Sequence, residues 1–280
     1  MNMKLIENKN FDQERALYGS NNLKVVNCSF EGENDGESAL KECKNIYVDN
    51  SLFDLRYPFW HNDILIITNS KLTINCRAAL WYCNDINIDS SKLHGIKAIR
   101  ECSNINIINS DIISSEFGWF SKNIQITKSS ITSEYCLLKS ENIHLKNVCF
   151  NGKYSFQYIK NAIFEDCEFN TKDAFWHGEN IVVRNSIVKG EYLAWYSNNI
   201  TFENCTIIGT QPLCYCKKLK LINCKMIDTD LSFEKSEVEA DIISDIISVK
   251  NPISGYINAL DIKKIILEEP TTCIITKTTE

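Results

Sequence analysis

The sequence lacks three features that would place it in common functional classes. No apolar run reaches the length of about 18 residues that a transmembrane helix needs. Positive charge is not in excess, since 30 Lys and Arg stand against 36 Asp and Glu, so a basic surface for nucleic acid is not expected. The start of the chain is polar and charged and has no signal-peptide apolar core. We expect a cytoplasmic protein that binds neither nucleic acid nor membranes.

The 13 cysteines do not have the spacing of a disulfide framework or a zinc site. Their odd number and the lack of an export signal favour free thiols in a reducing compartment. Only Cys214 and Cys216 lie close together, and no second Cys or His pair at zinc spacing lies beside them. Most other cysteines occupy repeat positions where Ser or Gly also occurs, which indicates a small buried residue. We therefore predict neither a metal nor a cofactor.

A repeat of 19 residues is the main feature that the sequence does have. It is measured from the residue five places before a two-residue step that is most often Asn-Ser or Asn-Cys, and seven consecutive intervals have this length. The anchors of these intervals are Asp85, Asn104, Asn123, Asn142, Asn161, Asn180, Asn199 and Lys218. Looser members at Asn22, Asn45 and Ile64 extend the series toward the N-terminus. A constant period of this size predicts a solenoid, in which each coil buries apolar side chains against its neighbours.

One coil, residues 104–122, shows the pattern when Asn104 is taken as position 1. Positions 2 and 4 are apolar, as in Ile105 and Ile107, and this alternation predicts a strand with one face inward. Position 9 and positions 14 to 18 are apolar again, which predicts two further short strands after bends. Asparagines recur at positions 1 and 6, where their amides can stack along the axis and tolerate bend geometry. Nothing in the coil has the i, i+3, i+4 spacing of a helix.

The predicted fold is therefore all-β, a single-stranded parallel β-helix of about eleven coils with a dominant 19-residue period. We predict one domain, with an N-terminal cap at 1–21, regular coils at 22–236, and irregular C-terminal coils and a cap at 237–280. The caps follow from a physical need, because an exposed terminal coil would template aggregation.

Several segments carry a resemblance to known proteins. They are the coil pattern N-I-x-I-x-N-S, the segment ERALY at 14–18, GESALKE at 36–42 and NPISG at 251–255. On these segments the chain resembles right-handed β-helices of the pectin-lyase-like superfamily, and more narrowly an uncharacterised bacterial family with this architecture. The resemblance implies the fold and its handedness. The broad superfamily is rich in polysaccharide lyases and hydrolases, but that implication rests on fold analogy alone.

Positions 16 and 17 look the least structural, and we call the side chains at these two positions the aromatic face. All five tryptophans lie at position 16, where Lys41, Arg100 and Gln157 also occur. Position 17 holds aromatic and charged residues such as His61 and Glu101. Neighbours in a straight strand point to opposite sides, so the sequence leaves open whether the tryptophans face the core or solvent. A bend between the two positions would expose both in part.

Large exposed aromatic patches usually mark sites that bind a ligand or another protein, and flat sugar rings can stack on aromatic faces. We therefore hypothesise a glycan-binding face. Its candidate binding residues are Trp60, Trp81, Tyr82, Trp119, Trp176, His177, Trp195 and Tyr196. A second hypothesis is a non-catalytic interaction scaffold that forms a homodimer through the same face, and the partners considered are thus an oligo- or polysaccharide and a second copy.

An enzymatic alternative is a polysaccharide lyase or glycoside hydrolase. In a lyase, Arg100 could neutralise a uronate carboxylate while His61 or Glu101 removes the neighbouring proton. A hydrolase would need two carboxylates roughly 5–10 Å apart, and the sequence offers no convincing pair. The sequence therefore favours the binding or scaffold interpretation over the enzymatic one.

Overall fold

A computed structural model describes residues 3–32 and 37–278. Gly36, which begins the GESALKE segment, and the outermost residues of the two predicted caps lie outside these ranges. The chain is all-β and forms about 14 turns of parallel β-solenoid with a period of about 19 residues, which confirms the predicted fold class. The handedness stays a prediction. No helix in the described ranges is long and apolar enough to cross a membrane. The chain divides into two compact units, Met1–Asn142 and Ile143–Glu280.

The first unit is built from strands that pair in parallel with the equivalent strand of the next coil. These strands are β1 (Lys4–Glu7), β2 (Asn10–Phe11), β3 (Asn21–Val26), β4 (Ser29–Glu31), β5 (Lys44–Asp49), β6 (Leu52–Asp54), β7 (Asp63–Thr68), β8 (Lys71–Leu72), β9 (Leu80–Trp81), β10 (Asn84–Asp89), β11 (Lys92–Leu93), β12 (Ile99–Arg100), β13 (Ser103–Ile108), β14 (Asp111–Ile113) and β15 (Lys122–Glu134). The longest row of paired strands runs through β1, β3, β5, β7, β10, β13 and β15. Inward side chains of this row, such as Ile107 and Ile126, are fully buried.

The second unit has the same construction. Its strands are β16 (Glu141–Lys153), which begins just before the unit boundary, β17 (Lys160–Glu165), β18 (Glu168–Asn170), β19 (Glu179–Arg184), β20 (Ile187–Lys189), β21 (Asn198–Glu203), β22 (Thr206–Ile208), β23 (Lys217–Ile227), β24 (Glu237–Ile242), β25 (Ile246–Lys250), β26 (Ser254–Ala259), β27 (Ile262–Ile266) and β28 (Ile274–Lys277). Its longest row of paired strands runs through β17, β19, β21, β23, β24, β26 and β28.

The predicted number of coils, about eleven, is too low. Strands β1 and β2 lie within the segment predicted as a cap and pair in register with β3 and β4. Strands β24, β26 and β28 continue the second unit beyond residue 236. These coils have no Asn-Ser step, and the register spacing from β24 to β26 shortens from 19 to 17 residues. The 19-residue marker therefore missed them.

The bends of the coil explain the two asparagine columns. Asn104 and Asn109, at positions 1 and 6, both have a left-handed backbone, with φ of 56° and 51°. Asn is among the residues that adopt this conformation most readily. The amides also bond along the axis, since Asn123 Nδ2 donates to Asn104 Oδ1 at 2.8 Å and Asn199 Nδ2 donates to Asn180 Oδ1 at 2.8 Å. The predicted ladders of stacked amides are confirmed.

A buried column of Ser and Cys at position 7 has a structural reason of its own. The backbone N–H of Ser91 donates to Ser110 Oγ at 3.2 Å, and Ser110 N donates to Ser129 Oγ at 3.0 Å. Cys28 N likewise donates to Ser51 Oγ at 3.1 Å. Each hydroxyl therefore satisfies a buried amide of the preceding coil, which would otherwise lose its partner to the bend. Cys fits the same position because it is small and tolerates burial.

Candidate functional site

The aromatic face lies on the outside of the coils. Position 15 is fully buried, as at Leu80 and Phe175. The tryptophans at position 16 are half-buried, and most described residues at position 17 are exposed. A left-handed bend at position 17, with φ of 58° at Tyr82 and 54° at His177, turns both columns toward solvent. The bend considered in the sequence analysis is present, and it resolves the question of the tryptophan direction.

Each tryptophan also has a structural role that the sequence analysis missed. Trp176 Nε1 donates to the backbone carbonyl of Tyr192 at 2.7 Å, and Trp195 Nε1 donates to that of Gln211 at 2.8 Å. Trp60, Trp81 and Trp119 make the same bond to the next coil. Every accepting residue has a positive φ, so the indole N–H satisfies the carbonyl of a left-handed bend. In four of these five bonds the accepting residue lies 16 residues after the tryptophan, at position 13 of the next coil. This constant interval is the sequence signal that could have revealed the bonds.

In the first unit the position 16 side chains form one stack of alternating aromatic and cationic groups. Lys41 Nζ lies 5.6 Å from the ring centre of Trp60, whose ring stacks on Trp81 at 5.1 Å. The Arg100 guanidinium then lies 5.1 Å from Trp81 and 5.6 Å from Trp119. A cation over an indole ring is attracted by the negative ring face, so the two charged residues in the tryptophan column stabilise the stack.

The second unit has a stack at each of the two positions. At position 16, Trp176 and Trp195 stack at 5.5 Å. At position 17, ring centres are separated by 4.8 Å from Tyr158 to His177, 5.0 Å from His177 to Tyr196, and 4.8 Å from Tyr196 to Tyr215. These separations are close to the spacing of paired strands, so one ring per coil is enough to build a continuous stack.

This geometry changes what the aromatic face can bind. Both ring faces of Trp81 are covered, one by Trp60 and one by Arg100, and both faces of His177 are covered by tyrosines. The expectation that sugar rings stack on ring faces therefore fails at these positions. The rings present their edges to solvent instead, and ring edges carry partial positive charge. Tyr hydroxyls and His nitrogens add hydrogen-bonding groups in a row with the period of the coils.

The structure brings two of the three catalytic candidates together. Arg100 Nε and Glu101 Oε1 are 3.4 Å apart and pair with each other. His61 stacks on Tyr82 at 4.9 Å, in a coil two steps away from Arg100. Two steps correspond to about 10 Å at the spacing of paired strands. Arg100 and Glu101 are thus adjacent, and His61 lies in a different coil.

One titratable residue of the second unit is buried at a position where the sequence has mixed charges. Charged residues at positions 12 and 13, including Lys172 and Asp173, resemble a solvated turn in the sequence, but Asp173 is only 6% exposed. Burial raises the pKa of its carboxyl, and the nearby Lys172 acts in the opposite direction. Gln157 Nε2 donates to the Asp173 carbonyl at 3.1 Å, as the tryptophans do at other bends. The alternation of apolar and polar residues in the sequence did not indicate that Asp173 is buried.

Cysteine and metal chemistry receive no support from the described residues. All thirteen cysteines are free, and eleven are buried. Burial raises the pKa of Cys43 to about 11 and that of Cys76 to about 12, so these thiols are poor nucleophiles at neutral pH. In the parts of the chain that the structure describes, no group of three or more His, Cys, Asp or Glu could hold a metal ion.

The comparisons with solved structures concern the fold. The chain is similar to PfbA, a surface adhesin of Streptococcus pneumoniae, at 10% identity and a TM-score of 0.52, over 86% of this chain and 80% of that one. The A-module of the mannuronan C-5 epimerase AlgE4 of Azotobacter vinelandii matches at 6% identity and a TM-score of 0.29, over 96% and 86%. The first likeness shows a parallel β-helix fold, and the second is too low to carry an argument.

No curated protein matches the sequence. The model of one family, described as protein of unknown function (DUF3737), matches residues 4–277, and the chain belongs to that family.

Proposed function

We propose that the protein is a non-catalytic binding scaffold whose aromatic face is its contact surface. The supporting observation is the regular stack of half-buried and exposed rings in each unit, from Trp60 to Trp119 and from Tyr158 to Tyr215. Stacking and the indole hydrogen bonds fix these rings before any partner arrives. A pre-ordered surface loses little side-chain entropy on binding, which favours recognition.

Two partners fit the row of ring edges, and both were considered from the sequence. A second copy presents a row with the same spacing, so rings and charges could meet coil by coil. The face carries both signs of charge, with Arg100 beside Glu101, and such a face can be self-complementary across a twofold axis. An oligosaccharide would have to bind by hydrogen bonds to the Tyr and His tips, because the faces of the rings are covered. The ring geometry favours the second copy.

The enzymatic alternative has weaker support. The Arg100 guanidinium is occupied by Trp81, Trp119 and Glu101, so a substrate carboxylate would compete with an existing ion pair. Glu101, the alternative base, is paired with Arg100, and His61 lies two coils away. A cytoplasmic location, and the lack of nucleic-acid and membrane partners, stay predictions.

Tryptophan fluorescence tests the proposal directly, because all five tryptophans lie on the aromatic face. Emission and acrylamide quenching are measured over a wide range of protein concentration, and then with panels of neutral and acidic oligosaccharides. Reduced quenching at high protein concentration supports the second copy, and reduced quenching with a sugar supports a glycan. Quenching that changes in neither series contradicts the proposal.

A pair of variants locates the contact. Tyr196→Asn removes a ring from the exposed stack, and Asn suits the left-handed backbone there, which has a φ of 61°. Asp166→Asn is the matched control, since Asp166 is exposed, has a φ of 54° and lies at position 6, outside the aromatic face. We expect Tyr196→Asn to weaken the response and Asp166→Asn to leave it unchanged. Equal loss in both variants would place the contact elsewhere.

A further inference from the structure

A groove of about 510 Å³ lies in the first unit, away from the aromatic face. It runs along positions 6 to 8 of successive coils and is lined mainly by amide and hydroxyl side chains. Its lining includes Asn8, Asn27, Asn50, Asn69 and Lys71. Four coils contribute, so the groove is about 14 Å long at the spacing of paired strands. Its length suits a short oligomer better than a single small molecule.

The asparagine ladder is interrupted inside this groove. Asn27 Nδ2 donates to Asn8 Oδ1 at 2.5 Å, and Asn50 Nδ2 donates to Asn27 Oδ1 at 3.4 Å. Asn69 departs from the series, because its Nδ2 donates to Asp49 Oδ1 at 2.9 Å. Among the described residues, Asn50 Oδ1 therefore receives no hydrogen bond. The break leaves an amide acceptor facing the groove, and amides that both donate and accept suit hydroxyl groups.

Two lysines of like charge meet at one end of the groove. Lys71 and Lys92 are register partners in the parallel strands β8 and β11. Like charges directly opposite each other destabilise a sheet. The next residue along, Asp111, approaches Lys92, but its carboxylate already accepts hydrogen bonds from Ser130 Oγ at 2.6 Å and contacts His94 Nε2 at 2.8 Å. Among the described residues, Lys71 has no ion-pair partner.

The acidic group nearest to the amides is also occupied. Asp49 accepts hydrogen bonds from the Thr68 hydroxyl at 2.7 Å and from Asn69, and these bonds lower the pKa of its carboxyl. Asp49 is thus ionised and internally paired, and the unpaired positive charge at the groove belongs to Lys71. An anionic group placed there would relieve the repulsion between the two lysines.

We propose that this groove binds a short acidic oligosaccharide, with the amides contacting hydroxyl groups and Lys71 contacting an acid group. The juxtaposition that carries the proposal is an interrupted amide ladder beside an unpaired lysine in a like-charged pair. This site is separate from the aromatic face and does not depend on the function proposed for that face.

The test is isothermal titration calorimetry at low ionic strength with matched probes. A trimer of β-1,4-linked glucuronic acid is compared with cellotriose, which has the same backbone without the carboxylates, and with glucose 6-phosphate. We expect the acidic trimer to bind more tightly than the other two, and added salt to weaken it. Equal binding of cellotriose would refute the role of Lys71. Equal binding of glucose 6-phosphate would refute the role of the extended amide wall, and absence of binding would refute the site.

Three variants separate the groove from a general effect on folding. Lys71→Met keeps most of the length of the side chain without its charge, and we expect affinity to fall about two- to five-fold, the range of an exposed ion pair. Asn50→Asp places a negative charge beside the ligand and should weaken binding further. Asn123→Asp is its control, because Asn123 is also exposed, left-handed and in the middle of an amide ladder. Unchanged affinity in Lys71→Met, or equal loss in both Asp variants, would overturn the proposal.

Discussion

The position 7 hydroxyl ladder allows a quantitative test of how the coils are held together. Ser110 is 4% exposed, and its Oγ accepts the backbone N–H of Ser91 at 3.2 Å while donating to the Ile108 carbonyl at 2.8 Å. Ser110→Ala removes both bonds and leaves a buried N–H without its acceptor. An unsatisfied buried donor costs about 1–3 kcal/mol, and we expect a loss of about 2 kcal/mol in the free energy of unfolding.

Two further variants show whether the loss arises from the hydrogen bonds. Ser110→Cys keeps a weak acceptor of similar size and should cost less than about 1 kcal/mol, since Cys102 Sγ accepts the backbone N–H of Cys83 at 3.3 Å in another column of the coil. Ser115→Ala changes an exposed serine of the same coil and should remain within about 0.5 kcal/mol of the wild type.

Urea unfolding followed by circular dichroism and by tryptophan emission gives the three free energies. Coincidence of the two probes is needed first, because long repeat arrays can lose two-state behaviour. If Ser110→Ala were no more destabilised than Ser115→Ala, the ladder would be a by-product of packing, and the reasoning would be wrong. If Ser110→Cys lost as much as Ser110→Ala, the acceptor role of the side chain would be refuted.

Three other predictions follow from single residues. Asp173→Asn should stabilise the protein at pH 7 but not in acid. The raised pKa of the Asp173 carboxyl makes the wild type less stable as pH rises through that pKa. Urea midpoints of variant and wild type that are equal both at pH 7 and in acid would contradict this. Trp176→Phe should cost about 1 kcal/mol through its bond to Tyr192, and an unchanged melting temperature would count against that bond. Lys277→Val should raise the mass seen in sedimentation velocity. Lys277 is the register partner of the buried Ala259 and places a charge on an edge strand, where charge opposes pairing with a second molecule. A mass equal to that of wild type would refute this role.

The fold was predictable because the same residue types recur at the same positions in most coils. Alternation at Ile105 and Ile107 fixes the inward face, and the Asn column fixes the bends, as the φ of 56° at Asn104 confirms. The number of coils was not predictable from the same marker. Strands such as β1 and β26 pair through backbone groups, which any sequence supplies, and so they do not need the Asn-Ser step.

The aromatic face was predictable as a set of residues but not as a surface. Counting residues along the 19-residue period gives each residue its position in the coil, and this count assigned all five tryptophans to one face. Their orientation depends on a left-handed bend at residues such as Tyr82, which is an unusual conformation for an aromatic residue and has no sequence signal. Ring stacking was also missed, since it follows from the distance between coils and not from the order of residues within one.

In a repeat protein, residue types shared along a column have a structural explanation. Residues with an energetic cost at positions that have no shared type are the better guide to function. The Asn, Ser and Trp columns each satisfy backbone groups of a bend or of an adjacent coil. Lys71 and Lys92 repel each other, and Asp173 is a buried carboxyl. Among the described residues, neither the Lys71 nor the Asp173 side chain makes a hydrogen bond to the backbone of an adjacent coil. Ligand contacts are therefore to be sought first at these positions, and the calorimetric comparison of Lys71→Met with the wild type is the most direct measurement of that kind.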